Sequence, residues 1–242
     1  MGKIKRIMLL LGGLFIGVYG MSAQEVLNRL RNSTTAQDRR VKAVMRITDK
    51  SKRVQERTLR MVMKGDKKML VTFISPAELR GVSFLTTAPE NMWVYLPAQG
   101  RVRRISGSAA DQSFGGSDFS YKEMASISFG TSVASGEADE VELNGVKAYL
   151  ITLEQDGERS RLWVEMERFL PLRLEKIARD GRVAKCIVFA DFQKANEVWI
   201  PRTVRLDNLA RGTITELKLL DVEIDVGIKD TYFTEENMKK GA

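Results

Sequence analysis

The chain has 242 residues, with 39 basic and 31 acidic side chains, one cysteine and no histidine. That length suits one large domain with a substantial core. The missing histidines exclude Ser-His-Asp and Cys-His catalysis and remove the commonest transition-metal ligand, and the lone cysteine, Cys186, excludes an internal disulfide.

The first residues read as a leader. Lys3, Lys5 and Arg6 precede an apolar run from Ile7 to Val18, and Met21-Ser22-Ala23 ends in a small residue. This pattern predicts a secretory signal peptide over residues 1–23, cleaved after Ala23, because the apolar run is shorter than the roughly 20 residues that span a bilayer. No cysteine follows it, so the new end carries no lipid there. Three of the basic residues leave with the leader, which lowers the net charge from +8 to +5. A modest positive charge suits anionic lipid headgroups or plain solubility, and export argues against nucleic acid as a partner.

One domain is expected over residues 24–242. Val26, Leu27 and Leu30 recur at helical spacing and Asn32-Ser33-Thr34-Thr35 ends that helix. Period-two strands follow. The first half holds Val41–Thr48, Arg53–Lys64, Lys68–Ile74, Val82–Thr86, Asn91–Leu96 and Arg101–Ile105. In the second of these, Leu59, Met61 and Met63 share one side. Asn144-Gly145, Asp156-Gly157 and Asp180-Gly181 mark hairpins in the second half. The final strand, Thr213 to Val226, is expected to place Ile214, Leu220, Val222 and Ile224 on one face. The fold class is mainly β (α+β), with about eleven strands in a twisted antiparallel sheet wide enough to curl.

Between the halves, Phe114-Gly115-Gly116-Ser117-Asp118-Phe119 leads into Ser120-Tyr121-Lys122-Glu123, a capping box that starts a short helix. The two glycines suit a loop that bends tightly or moves. Phe114, Gly115, Gly116, Phe119, Tyr121 and Met124 are therefore candidate lid residues, hinged at the glycines. Arg101 and Arg103 share a face of their strand and Arg104 points opposite. They form either an electropositive rim or a charged edge that resists aggregation. Apolar residues on many strands exceed what one sheet face needs, and the few helices leave much of a wide sheet uncovered. A curved sheet under a helical lid would enclose a cavity for an acyl chain, each buried CH₂ contributing about 0.8 kcal/mol. The candidate lining is Met61, Met63, Phe73, Phe84, Trp93, Tyr95, Trp163, Phe189 and Trp199, and eleven methionines supply adaptable apolar surface.

No catalytic residue, cofactor or metal site is expected. There is no Gly-x-Ser-x-Gly elbow and no P-loop or dinucleotide fingerprint. Asp139-Glu140-Val141-Glu142 lacks the EF-hand pattern. Cys186 reads as a small buried hydrophobe on a strand.

Several stretches carry a resemblance. They are Phe73-Ile74-Ser75-Pro76-Ala77-Glu78-Leu79-Arg80-Gly81-Val82-Ser83-Phe84-Leu85, Met92-Trp93-Val94-Tyr95-Leu96-Pro97, Arg101-Val102-Arg103-Arg104-Ile105 and Gly116-Ser117-Asp118-Phe119-Ser120-Tyr121. Leu170-Pro171-Leu172, Trp199-Ile200-Pro201 and Phe233-Thr234 follow. Together the chain resembles the LolA-like family of outer membrane lipoprotein-sorting proteins. The resemblance implies an unclosed β-barrel, LolA/LolB/LppX-like, with helices plugging its mouth around a hydrophobic cavity. It implies a non-enzymatic, monomeric periplasmic carrier that moves lipoproteins or lipids by their acyl chains toward the outer membrane. The implied partners are an inner-membrane RND-type or ABC transporter and an outer-membrane acceptor. The alternative is a sensor or adaptor of the same fold that binds a lipidated protein or an RND-type transporter and signals without carrying cargo.

Overall fold

The computed structural model describes residues 20–88, 90–126, 129–130, 132–155 and 157–241. The leader as far as residue 19, and Asp156 of the expected Asp156-Gly157 turn, lie outside the described residues. The elements run α1 (Ala23–Thr34), β1 (Asp38–Thr48), β2 (Val54–Lys64), β3 (Lys68–Ser75), β4 (Ser83–Ala88), β5 (Asn91–Leu96) and β6 (Arg101–Ile105). Then come α2 (Tyr121–Ala125), β7 (Val133–Leu143), β8 (Val146–Gln155), β9 (Glu158–Glu165) and β10 (Pro171–Ile177). β11 (Val183–Ala195), β12 (Val198–Asn208), β13 (Thr213–Ile224) and α3 (Glu235–Lys240) complete the chain.

All thirteen strands join one antiparallel sheet, ordered β6-β5-β4-β3-β2-β1-β13-β12-β11-β10-β9-β8-β7. The number is two more than the expected eleven, and β4, β5 and β6 correspond to the strands expected at Val82–Thr86, Asn91–Leu96 and Arg101–Ile105. Every neighbour is a hairpin neighbour except β1 and β13, which join the two halves. The sheet is unclosed. Its edges are β6 and β7, which are consecutive in sequence yet lie at opposite ends of the sheet. Residues 106–132 must therefore cross from one edge to the other, and α2 lies on that crossing.

The inner face carries the main core. Leu59, Met61 and Met63 of β2 face inward with Met69, Val71 and Phe73 of β3 and Phe84 of β4. Ile151, Leu162, Phe189, Leu206 and Leu217 continue it across the second half. Helix α1 packs against β7, β8 and β12 and buries Val26, Leu27 and Leu30 completely. Ser22 caps it by accepting the Glu25 amide at 3.2 Å. The Ala138 amide donates to the Met21 carbonyl, which ties the helix start to the β7 edge. Cleavage after Ala23 would remove both contacts, leaving the Gln24 side chain, which accepts the Ala134 amide at 3.1 Å.

The outer face of β2–β5 is covered as well. Asp38 gathers the amides of Val226, Gly227 and Ile228 at 2.8, 3.1 and 2.9 Å and turns the chain away from β13. Asp230 then meets Lys64 and Lys68, each at 3.1 Å. This lays Ile228, Phe233 and Met238 on Val62, Leu70 and Leu85, with Trp93 and Tyr95 packed beside them.

The expected face of the final strand changes. In β13, Leu220 is 44% exposed, and Thr215 and Leu217 are the buried residues. A bulge opposite Lys42/Ala43 shifts the register, so side chains on its two sides do not keep one alternation. Cys186 is buried on a strand, β11, as expected, with Arg173, Glu175 and Asp207 near it. Burial raises its thiol pKa.

Candidate lipid-binding interior and its lid

Hydrogen bonds from both halves of the sheet hold the described residues of the crossing segment in place. The Phe114 amide donates to the Phe119 carbonyl at 2.8 Å, closing a tight turn around Gly115-Gly116. Both glycines have positive φ, +56° and +80°. A Cβ on Gly115 would lie 2.4 Å from Cζ of Phe73, so this residue is a close-packed turn against the sheet rather than an open hinge. Arg57 Nε fixes the turn by donating to the Gly115 carbonyl at 2.8 Å.

Phe114 is fully buried. Its ring centroid lies 5.3 Å from Phe73, 5.6 Å from Phe84 and 5.7 Å from Tyr121, within the range of favourable aromatic pairs. The crossing segment thus packs on an aromatic cluster that strands β3 and β4 supply from the inner face.

Asp118 fastens the segment to the second half of the sheet. Asn208 Nδ2 donates to Asp118 Oδ1 at 3.0 Å, Thr213 Oγ1 to Oδ1 at 2.5 Å and Thr215 Oγ1 to Oδ2 at 2.9 Å. Lys185 Nζ donates to the Asp118 carbonyl at 2.7 Å. The expected capping box is formed: Ser120 Oγ accepts the Glu123 amide at 3.1 Å, and Glu123 Oε2 accepts the Ser120 amide at 2.8 Å. Glu123 also takes Lys185 Nζ at 2.7 Å and lies 3.5 Å from Lys176. Burial pushes the Glu123 carboxyl up, but Lys176, Lys185 and the hydrogen bonds outweigh it and leave the group below its ordinary range. Beyond α2, Arg31 of α1 donates to the carbonyls of Phe129 and Ser132 at 2.8 and 2.5 Å.

Five hollows border this packing among the described residues, one of about 450 Å³ between Met92, Ile105, Ala110 and Ala125 and one of about 270 Å³ beside Ser117 and Asp118; the other three concern the interior. One of about 60 Å³ lies behind α2, floored by Leu153, Leu174, Ile187, Phe189 and Val204 and bounded by Phe119 and Phe129. A polar cup of about 240 Å³ contains Lys122, Glu123, Glu158 and Lys176, which also reach the first hollow. An apolar groove of about 220 Å³ runs where the lid meets Phe73, Leu79, Val82 and Val94. The inner hollow is far below the roughly 300–1,000 Å³ typical of ligand pockets. The interior is filled by α1 and by the lid's own aromatic rings.

The structure brings Met61, Met63, Phe73, Phe84 and Phe189 together on the inner face. Of the candidate lid residues, Phe114, Phe119 and Met124 join the same cluster and Tyr121 packs against it. Trp93 and Tyr95 lie elsewhere, on the outer face under the C-terminal segment. Their neighbours Met92 and Val94 face inward instead. Trp163 and Trp199 are also absent from the inner cluster. Trp163 lies beneath Arg161 and Arg173, with guanidinium-to-ring distances of 5.7 and 5.6 Å, and Trp199 lies 5.2 Å from Arg168. A one-residue choice of face inverts a strand's lining, and Asn91–Leu96 is apolar on both faces, so alternation could not fix that choice. In β6, Arg101, Arg103 and Arg104 are exposed on the free edge, and Arg104 pairs across from Trp93.

Sequence reasoning missed Arg31, Arg57, Asp118, Lys176 and Lys185 as residues that hold the crossing segment. The available signal was Lys185 itself, which shares the inner side of β11 with Ile187 and Phe189 and so needs a buried partner.

Among the described residues, no helix is long and apolar enough to cross a membrane. A family model described as an uncharacterised protein matches residues 65–240. Among solved structures, a DUF1329 family protein from Desulfovibrio piger is 25% identical with a TM-score of 0.80, covering 89% of this chain and 97% of that one. A domain assigned to outer membrane lipoprotein sorting from Vibrio parahaemolyticus is 23% identical with a TM-score of 0.81, at the same coverage of 89% and 97%. The LolA superfamily protein NE2245 from Nitrosomonas europaea is 19% identical with a TM-score of 0.76, covering 90% and 99%. Comparison with curated proteins finds no match. The chain belongs to the family of the matching model, a family of uncharacterised proteins that here takes the LolA-like fold.

Proposed function

We propose that this protein is a non-enzymatic periplasmic carrier that takes the acyl chains of lipoproteins or lipids into its interior and passes them toward the outer membrane. The observation that carries the reading is the closure of an unclosed sheet by one crossing segment whose apolar side faces the core. Phe114, Phe119 and Met124 occupy the space that an acyl chain would take. Their contacts are apolar and exchangeable for cargo, each buried CH₂ contributing about 0.8 kcal/mol. The polar anchors at Asp118 and Glu123 define the closed position to which the segment returns. The lipoprotein-sorting assignment of a structural neighbour supports the same reading.

The leader would deliver the chain to the periplasm, with cleavage after Ala23. The exposed arginines of β6 would face anionic headgroups or a partner. A membrane transporter of RND or ABC type would supply cargo and an outer-membrane acceptor would receive it. The test is uptake of a fluorescent fatty acid by the purified protein, followed by transfer to acceptor vesicles. Uptake with transfer is expected. Absence of both overturns the reading, and stable complex formation with a transporter without any cargo uptake would favour an adaptor instead.

A further inference from the structure

We propose that the polar cup beside α2 binds the anionic headgroup of a single-chain amphiphile, a carboxylate or a phosphate, whose tail enters the apolar hollow beneath. The inference rests on the carrier reading and adds to it a headgroup site. The cup and the hollow share Lys122, Glu123, Glu158 and Lys176, so one molecule can reach both. The hollow is apolar below this rim, with Leu153, Leu174, Ile187 and Phe189 at its floor. At about 60 Å³ it takes a single chain only as Phe119 and Phe129 at its edge give way.

The charges favour an anion. Lys122, Lys176, Lys185 and Arg159 line the cup, against Glu123, Glu158 and Asp111, a surplus of one positive charge among the described residues. More telling is how Glu158 sits. Its carboxylate takes Lys122 and Lys176, both at 3.3 Å, and its side chain is 49% exposed. Two ammonium groups from α2 and β10 therefore converge on one half-exposed carboxylate. Both distances exceed the roughly 2.7–2.9 Å of a strong charged hydrogen bond. Lys185 and Glu123, by contrast, meet at 2.7 Å and are mostly buried. The tight pair holds α2 while the loose one can exchange partners. An incoming headgroup would displace Glu158 and take its place between Lys122 and Lys176, leaving Glu123 on Lys185.

Isothermal titration of the purified protein tests this with four probes below their micellar concentrations: dodecanoate, dodecyl phosphate, uncharged monododecanoyl glycerol and inorganic phosphate. The anionic amphiphiles should bind about two- to fivefold more tightly than the uncharged one, the effect of one partly exposed charged contact. Lys176→Gln should remove that advantage. Glu158→Gln should raise anionic affinity several-fold by removing the competing carboxylate, an opposite change that misfolding cannot produce. Whichever of dodecanoate and dodecyl phosphate binds tighter tells a fatty acid from a phospholipid source. Equal affinity for charged and uncharged amphiphiles overturns the headgroup site and leaves the carrier reading standing. Inorganic phosphate binding as tightly as dodecyl phosphate overturns the two-part site. Binding of no amphiphile overturns both readings.

Discussion

Asp118→Asn should loosen the crossing segment while leaving the sheet folded. The carboxylate accepts three side-chain hydrogen bonds, from Asn208, Thr213 and Thr215. Asp118, Asn208 and Thr215 are all buried, so a donor that loses its partner there is cut off from water. An amide offers one oxygen in place of two and turns an NH₂ group toward a donor. At least one of the three bonds is lost and the charge leaves all of them. Hydrogen bonds to a charged group contribute about 1.5–3 kcal/mol each and are not additive, so a loss of about 2–3 kcal/mol is expected. With tenfold per 1.4 kcal/mol, the segment opens about 30- to 140-fold more often. Native-state hydrogen exchange reads this directly at the amides of Phe114, Asp118, Ser120 and Glu123, which are all hydrogen-bonded in the closed state. Unchanged exchange at these amides, with an unchanged urea midpoint, would refute the idea that Asp118 fastens the lid.

Gly115→Ala combines a left-handed backbone with the close approach to Phe73, and should cost about 2–4 kcal/mol in urea unfolding; a neutral substitution would show that the turn is loose. Glu123 has a depressed folded pKa, so its contribution is complete above the ordinary glutamate value of about 4.3 and is lost as pH falls through the lower folded value. The gap in urea midpoint between wild type and Glu123→Gln should therefore shrink below about pH 4, and a gap that stays constant would contradict the ion pairs with Lys176 and Lys185. Met238→Ala empties a fully buried site on the outer face and should cost about 2–5 kcal/mol. It should also shift tryptophan fluorescence to the red as Trp93 gains water, and no shift would place Trp93 elsewhere.

How much of this was legible in the sequence depends on whether a local pattern had one physical meaning. Hairpins at Asn144-Gly145 and Asp180-Gly181 are set by backbone conformation within a few residues, and the strands they join pair as expected. The capping box at Ser120 is equally local, and both of its bonds form. Leu59, Met61 and Met63 alternate with Thr58 and Arg60, so their inward face was readable. Met92-Trp93-Val94-Tyr95 offers apolar residues on both faces, and only the C-terminal segment, more than 100 residues away, decides that the aromatic side faces outward. The same holds for Asp118, whose partners come from β12 and β13. Contacts that span half the chain leave no periodic trace.

The central claim is that the interior exchanges its own aromatic plug for an acyl chain. Native mass spectrometry of the protein purified gently from its own cell envelope tests it most directly. A population heavier than the bare polypeptide by one acyl-bearing molecule is expected, lost when that molecule is extracted. Repeated recovery of the bare polypeptide alone, from preparations that keep the fold intact, would contradict it.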